Sequence, residues 1–439
     1  LSLAVATCGG DPPAPTEAEA GWGQAQAIGP PAWTYGARVA VTPAASGEAM
    51  AVWVQLEGPA PTLWASRFEG GRGWAAPQSL GTPGSTGYDV AADASGTFLV
   101  AWVQAVEGRV TVFARRFEPA AGWTPAQPLR SGDSRPIDLL ASRPALACAP
   151  DGRAVVAWRQ VTPRDVEIRA ARFAPGAGWQ DPELVASTTG NASPADVTLD
   201  AGGTALATWL ELEDGVTRVR VSRSGSAGWT AGESIDSRPA SGDMSHAPLV
   251  TATPGGDGFV VYPGSAAFRT NREDLWAARY ESGRGWQPPV QIASGLPGAA
   301  VQPALAADGR GNAHVVWLDG SLSGVWSNHY TAGAGWGAPR RLDGGSAQVL
   351  TPAVAAGPGG EAFAVWAQAP AGGPTYRVWS ARFSAAAGWA SAVVINADQH
   401  AQAPDVGVDG RGNAVAVWAQ GPYQQEAAWA NRFLAAPGP

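Results

Sequence analysis

The dipeptide Gly-Trp occurs eight times, with its tryptophan at positions 22, 74, 123, 179, 229, 286, 336 and 389. The first and last lie seven periods apart, about 52 residues each. A unit of that length cannot bury its apolar face alone, and the period is that of propeller blades rather than helical solenoids. Two further series keep the same phase. Tryptophans stand in apolar runs at 53, 102, 158, 209, 317, 366 and 418, with Tyr262 in the remaining slot. A third signature reads LWASRF, VFARRF, IRAARF, VRVSRS, LWAARY, VWSNHY, VWSARF and AWANRF.

Each unit divides into four strand-like segments. The first is Ala-rich, as in QPALAAD from Gln302. The second is a near-continuous apolar run such as TFLVAWVQ, which suits a strand buried on both faces. The third carries the Arg-aromatic pair, and the fourth opens with Gly-Trp. Turns such as DGRG at 308–311 and 409–412 separate the first two segments, glycine supplying the positive φ of a tight hairpin. Small residues place the first strand along a central channel, and the fourth becomes the outer edge. There Trp74 and Leu80, six residues apart, share a face. Prolines 77, 182, 289 and 339, three residues after a Gly-Trp tryptophan, read as edge-strand prolines.

The last unit runs to LAAPGP without a Gly-Trp segment, while GWGQAQAI at 21–28 precedes the first unit. The two complete one another. The expected fold is an all-β, eight-bladed β-propeller of four-stranded antiparallel blades over 20–434, its ring closed by the N-terminal strand in the last blade. Residues 435–439 form a tail.

Composition removes several classes of chemistry. All 29 basic residues are arginine, which excludes lysine Schiff bases and phosphate-loop lysines. A net charge of −8 argues against a nucleic-acid or anionic-membrane surface. Two cysteines, Cys8 and Cys148, allow neither a disulfide scaffold nor a cysteine zinc site. Cys148, in ALACAP, is expected to be buried and unreactive. The four histidines (246, 314, 329, 400) lack ligand spacing, and hydrolase, phosphate-loop, metalloprotease and dinucleotide motifs are absent. No cofactor, metal or catalytic residue is expected.

Residues 1–19 read LSLAVATCGG and then DPPAPTEAEA, an apolar run followed by a polar tether. Val5, Ala6, Thr7 and Cys8 resemble the end of a bacterial lipoprotein signal peptide. The resemblance implies a lipid on Cys8 and, with Gly9 next, an outer-membrane-anchored or secreted protein of the bacterial envelope. It would touch the membrane only through that anchor. The other reading of Cys8 is a free thiol in an unpacked tether.

Of the 21 tryptophans, eight follow glycine, seven belong to the second strand and five (Trp64, Trp276, Trp326, Trp379, Trp429) to the third. Only Trp33 lies outside the repeat. A residue present in every blade reads as inter-blade packing. The third series is patchier and is expected to be the more exposed. Arginines 67, 116, 172, 223, 279, 382 and 432 share one position, with His329 in the eighth. Pairing with the turn aspartates 93, 151, 200, 308 and 409 is the simplest account of them.

The connections between strands two and three and between blades vary most, and binding sites favour such loops. Five second strands end in Trp-x-Gln, at Gln55, Gln104, Gln160, Gln368 and Gln420. Three consecutive blades depart together, with Glu211, Gly264 and Asp319. Beside them lie the insertion PGSAAFRTNRED at 263–274, carrying Arg269 and Arg272, and the loop with His246. Glu211, His246, Tyr262, Arg269, Arg272 and Asp319 are therefore the ligand-binding candidates, in an open polar recess. Drift in unconstrained loops is the alternative.

The unit resembles several propeller families. Eight blades behind a lipidation signal are similar to the outer-membrane assembly lipoprotein and to quinoprotein dehydrogenases, although their Thr-Gly-Lys motif is absent here. The Asp-turn-Trp element resembles sialidase Asp-boxes without the full Ser-x-Asp-x-Gly-x-Thr-Trp form. The order Gly-Trp, Pro-Ala, apolar strand, Leu-Trp resembles bacterial propeller lectins that hold fucosylated glycans between blades. That resemblance implies sugar stacking on Trp64, Trp276, Trp326, Trp379 and Trp429, with Phe113, Arg169 and Arg220 in the other three blades. The expected function is a surface-anchored, non-enzymatic propeller recognising a glycan or protein partner. A multivalent lectin is its sharper form, and a secreted glycan-active enzyme, sialidase-like or lyase, is the alternative.

Overall fold

The computed structural model describes residues 20–436 apart from 57–59, 83–86, 107–108, 130–142, 226–227, 240–246, 265–273, 294–298, 346 and 371–372. Every regular element among the described residues is a strand, and the strands form eight antiparallel sheets. Blade one runs outward from Trp33–Val41 through Ala49–Leu56 and Pro61–Glu69 to the outer pieces Gly73–Trp74 and Gln78–Gly81. Blades two to eight repeat this order. Their innermost strands are Tyr88–Ala92, Ala145–Cys148, Asp196–Leu199, Leu249–Ala252, Ala300–Ala307, Ala347–Ala356 and Ala401–Val408. Each innermost strand touches the next around the whole ring, including blade eight on blade one.

The ring closes as the repeat count requires. Gly21 and Trp22 pair with Leu434 and Phe433, and Gln26 and Ala27 pair with Ala430 and Trp429. Asn431 Nδ2 ties the two ends further, donating to the Gly23 carbonyl at 3.0 Å.

The repeated residues fill the junctions between blades. Trp53 of blade one packs with Val415, Val417, Ala428 and Ala430 of blade eight, and Trp418 of blade eight with Phe363 and Val365 of blade seven. Second-strand tryptophans are fully enclosed, so each indole N–H needs an acceptor. In four blades the glutamine two residues on, which shares its face, provides one: Trp102 donates to Gln104 at 3.2 Å, Trp158 to Gln160 at 3.3 Å, Trp366 to Gln368 at 2.7 Å and Trp418 to Gln420 at 2.9 Å, whereas Gln55 turns to Pro30 and Thr34. The Gly-Trp tryptophan stands opposite the third-strand aromatic, as Trp74 does against Phe68, with centroids 5.5 Å apart and rings at 66°. Its glycine turns the chain back with φ of 84° at Gly73 and 82° at Gly178, a region that a side chain disfavours.

Three expectations change. The outer strand is interrupted after Gly-Trp, and Pro77, Pro182, Pro289 and Pro339 sit in the interruption rather than in an edge strand. The lost ladder is replaced locally: Ala75 N donates to the Arg67 carbonyl at 2.8 Å, and Ser66 Oγ donates to the Ala75 carbonyl at 2.7 Å. The turn aspartates do not pair with the repeated arginines; they close their own turns. Asp409 Oδ1 accepts Arg411 N at 2.8 Å and Asn413 N at 2.9 Å. Arg67, Arg116 and Arg172 instead reach glutamates of their own blade, and six of the seven lie over an aromatic of the next. Arg67 bonds Glu48 at 3.0 Å and lies 5.0 Å from the Phe117 centroid, and Arg172 bonds Glu183. Among the described residues, only blade five, with Arg279 and Asp257 at 2.5 Å, shows a pairing of the expected kind. Cys148 is half-buried rather than buried, although burial pushes its thiol up to about 12.

Candidate functional site

Each of the five third-strand tryptophans stands opposite the enclosed aromatic of its second strand: Trp64 opposite Trp53, Trp276 opposite Tyr262, Trp326 opposite Trp317, Trp379 opposite Trp366 and Trp429 opposite Trp418. The inner member of each pair is buried and the outer one half-buried. Each outer indole therefore leans on a junction core while part of its surface stays open. In blades two to four the position differs. Phe113 stacks on Trp102 at 5.7 Å and 16°, while Arg169 and Arg220 pair with Glu167 at 2.8 Å and Glu211 at 3.2 Å.

The departures at the ends of the second strands turn out to be internally engaged. Glu211 is buried against Arg220. Asp319 accepts Ser321 Oγ at 2.8 Å and Ser323 N at 2.9 Å, which hold its carboxyl below the usual range against the opposing effect of burial. Tyr262 is fully buried, and its hydroxyl donates to Asp236 at 2.8 Å. Because these groups face their own partners, Glu211 and Asp319 do not present free carboxylates to a recess. His246, Arg269 and Arg272 lie outside the described residues, as does Cys8.

The sequence did not point to the channel. At the innermost-strand position paired with the residue before the second-strand aromatic, the eight blades carry Arg38, Asp89, Ala145, Asp196, Leu249, Ala304, Ala353 and Asp405. Three aspartates each clasp the next blade through Oδ2: Asp405 accepts Val39 N at 3.0 Å, Asp89 accepts Leu146 N at 3.1 Å and Asp196 accepts Val250 N at 2.8 Å. Arg143 enters from just before blade three, 3.6 Å from Asp89. Burial pushes Asp196 up to about 6 and raises Asp405 as well, with the Asp89 charge adding to both.

Beside this charged arc lies a cavity of about 480 Å³, lined in part by Arg38, Arg143, Tyr88, Gln302, Thr351 and Asp405. Four consecutive innermost strands, those of blades six, seven, eight and one, are bulged there. Gln302, Thr351 and Ala403 take φ of 50°, 47° and 50° immediately before a proline, and Gly36 takes 65° in blade one. Left-handed backbone at a β-branched residue such as Thr351 is strained, and strain and bulges of this kind gather beside binding sites. Among the described residues no group of three or more His, Cys, Asp or Glu could hold a metal ion.

No protein-family model matches this chain, and neither does any curated protein. Solved structures resemble this chain at low identity, with TM-scores below 0.5. The Aleuria aurantia lectin is 16% identical with a TM-score of 0.43 over 70% of this chain and 96% of its own. The Penicillium chrysogenum α-L-arabinanase is 14% identical with a TM-score of 0.44, over 94% and 98% respectively. The polysaccharide lyase Uly1 is 10% identical with a TM-score of 0.48, over 89% and 88%.

Proposed function

We propose that this chain is a non-enzymatic, multivalent glycan-binding propeller whose sugar seats lie at the blade junctions. The observation behind the reading is the half-buried tryptophan repeated in five blades beside an enclosed aromatic. A sugar's apolar face stacks on such an indole, whose own position is fixed by the packing behind it. Blades two to four, with Phe113, Arg169 and Arg220, carry weaker or no seats. Cys8, through a lipid, would hold the propeller at the bacterial envelope with its junctions open to glycans.

A glycan array on the Cys8→Ser chain tests the reading. Discrete sugar hits are expected, and Trp64→Ala together with Trp429→Ala should lower array avidity about tenfold, which is about 1.4 kcal/mol. An array without sugar hits would sink it and leave a protein partner on the variable-loop face. In cells, Cys8→Ser should release the protein from membranes; retention of that variant would remove the lipid anchor.

A further inference from the structure

We infer that the channel cavity is a second binding site, one for a small polyhydroxylated monoanion: a sugar acid such as a hexuronate. It is distinct from the junction seats, since none of their tryptophans lines it. The volume, about 480 Å³, is that of a small-ligand pocket.

The charges on the wall choose the ligand. Two guanidinium groups, Arg38 and Arg143, and one carboxylate, Asp405, line the cavity, whereas Asp89 and Asp196 stand behind the lining. Burial lowers the Arg143 guanidinium and the nearby Arg38 charge adds to that, both side chains lining the one cavity. No hydrogen bond or ion pair engages the Arg38 guanidinium among the described residues, although Asp89 and Asp405 keep it charged from nearby. A planar fork held charged and unchelated matches a carboxylate, which it can take bidentately.

The rest of the lining suits hydroxyls. Asp405 spends Oδ2 on Val39 N, leaving Oδ1 as an acceptor. Gln302 and Thr351 add an amide and a hydroxyl from the bulged strands. Tyr88 instead donates to the Gly36 carbonyl inside the wall and acts as a fixed floor. Arg143 already stands 3.6 Å from Asp89, so Arg38 is the guanidinium left to take a single ligand carboxylate. A phosphate ester, carrying nearly two charges, would be left short of countercharge beside Asp405, and a neutral sugar would leave the guanidinium groups unused.

The bulges supply the room. Had the strands of blades six, seven, eight and one kept a regular ladder, their side chains would alternate into the channel as in blade two. The extra residue in each strand turns Gln302, Thr351, Ala403 and Gly36 out of register. Two of these blades also carry the charged wall, Asp405 in blade eight and Arg38 in blade one.

Ligand-observed NMR titration of the full chain with D-glucuronate and D-galacturonate, against glucose and galactose, tests the site. Binding of at least one uronate is expected, roughly millimolar for a single sugar, with the matched neutral sugar at least about tenfold weaker. Arg143→Gln, on a side chain 49% exposed to the channel, should keep the melting temperature and lose about tenfold in uronate affinity. Arg38→Gln should lose as much, and its melting curve separates lost binding from lost folding. Trp64→Ala should leave uronate binding unchanged, so failure here and failure of the junction seats are separable. Equal affinity for uronate and neutral sugar, or unaltered uronate binding by folded Arg143→Gln, would overturn the proposal. Glutamate binding in place of both uronates would also overturn it, in favour of a zwitterion.

Discussion

The blade junctions and the channel wall are built from the same eight repeats, yet they solve opposite problems. At the junctions one answer recurs: an enclosed aromatic in the second strand of every blade and an arginine over the next blade's ring in six of them. At the channel position the answer changes from blade to blade, running Asp405, Arg38 and Asp89 on one arc but Leu249, Ala304 and Ala353 on another. Repetition stabilises, because each junction buries the same apolar surface. Departure from repetition is where a ring with eightfold pseudo-symmetry gains a single, directional place to hold something.

The comparison can be broken hardest at the junction that the two chain ends share. Deleting residues 1–19 should leave the melting temperature nearly unchanged. Deleting 1–30 removes Trp22 from its edge-on contacts with Phe363 and Phe433 and exposes the strand Ala427–Leu434. A fall of about 5 °C is expected by scanning calorimetry, given several kcal/mol lost from a ring of this length. Equal melting of the two truncations would contradict the closure. Next in size is Trp418→Ala, which empties a fully buried junction and should cost about 3–5 kcal/mol in denaturant titration.

Proton linkage sharpens the contrast, because the two regions respond with opposite signs. At junction six–seven the repeat's arginine is His329, and the residue beneath it is His314, where Phe259 and Phe363 serve in other blades. His314 is fully buried and neither ring nitrogen has a partner, so burial lowers it to about 4 against the opposing charge of Asp308, with the neighbouring His329 adding least. Below the unfolded value of about 6.5 the unfolded chain binds the extra proton. Stability should therefore fall as pH drops from about 6.5 to 4, by about 3 kcal/mol in all. In the channel, Asp196 is raised to about 6, so the folded form holds the extra proton and stability should rise as pH drops from about 6 to 4. His314→Phe should unmask the channel's slope and Asp196→Asn the junction's, read from urea midpoints at several pH values. Slopes of the same sign in both variants would refute the assignment.

The smallest effect expected is Arg172→Ala. It breaks a partly exposed pair with Glu183 and should cost about 1 kcal/mol or less, with no change in uronate binding.

What the sequence could reveal follows the same division. Gly-Trp, the enclosed tryptophans and the orphan strand at 21–28 were legible because they recur in phase, and phase alone assigns strands. Pro77 was misplaced because spacing cannot show that an outer strand breaks. The arginine partners were misread because Glu48 and Glu183 hold no common position in the repeat, the acid two residues after the arginine, as Glu69 and Glu118, recurs in few blades, and the aromatic under six of the arginines comes from the following blade. Arg38, Asp89, Arg143, Asp196 and Asp405 gave no signal. They share no motif, and only closing the ring brings residues as far apart as 38 and 405 to one wall.

The strand that seals the ring is the first part of the propeller to be made and the last to find its place. Gly23 bonds Asn431, 408 residues later. At synthesis rates of about 5–20 residues per second, the early strand waits roughly 20–80 s for its partner. During that time blades one to seven can assemble in sequence, each on the last. The unpaired segment must stay away from every other exposed blade edge, all of which accept a Gly-Trp strand in the same register. Its brevity, two residues and then two more, makes such early pairings weak enough to release. A longer strand would hold better in the finished ring and would capture the wrong blade more often on the way there.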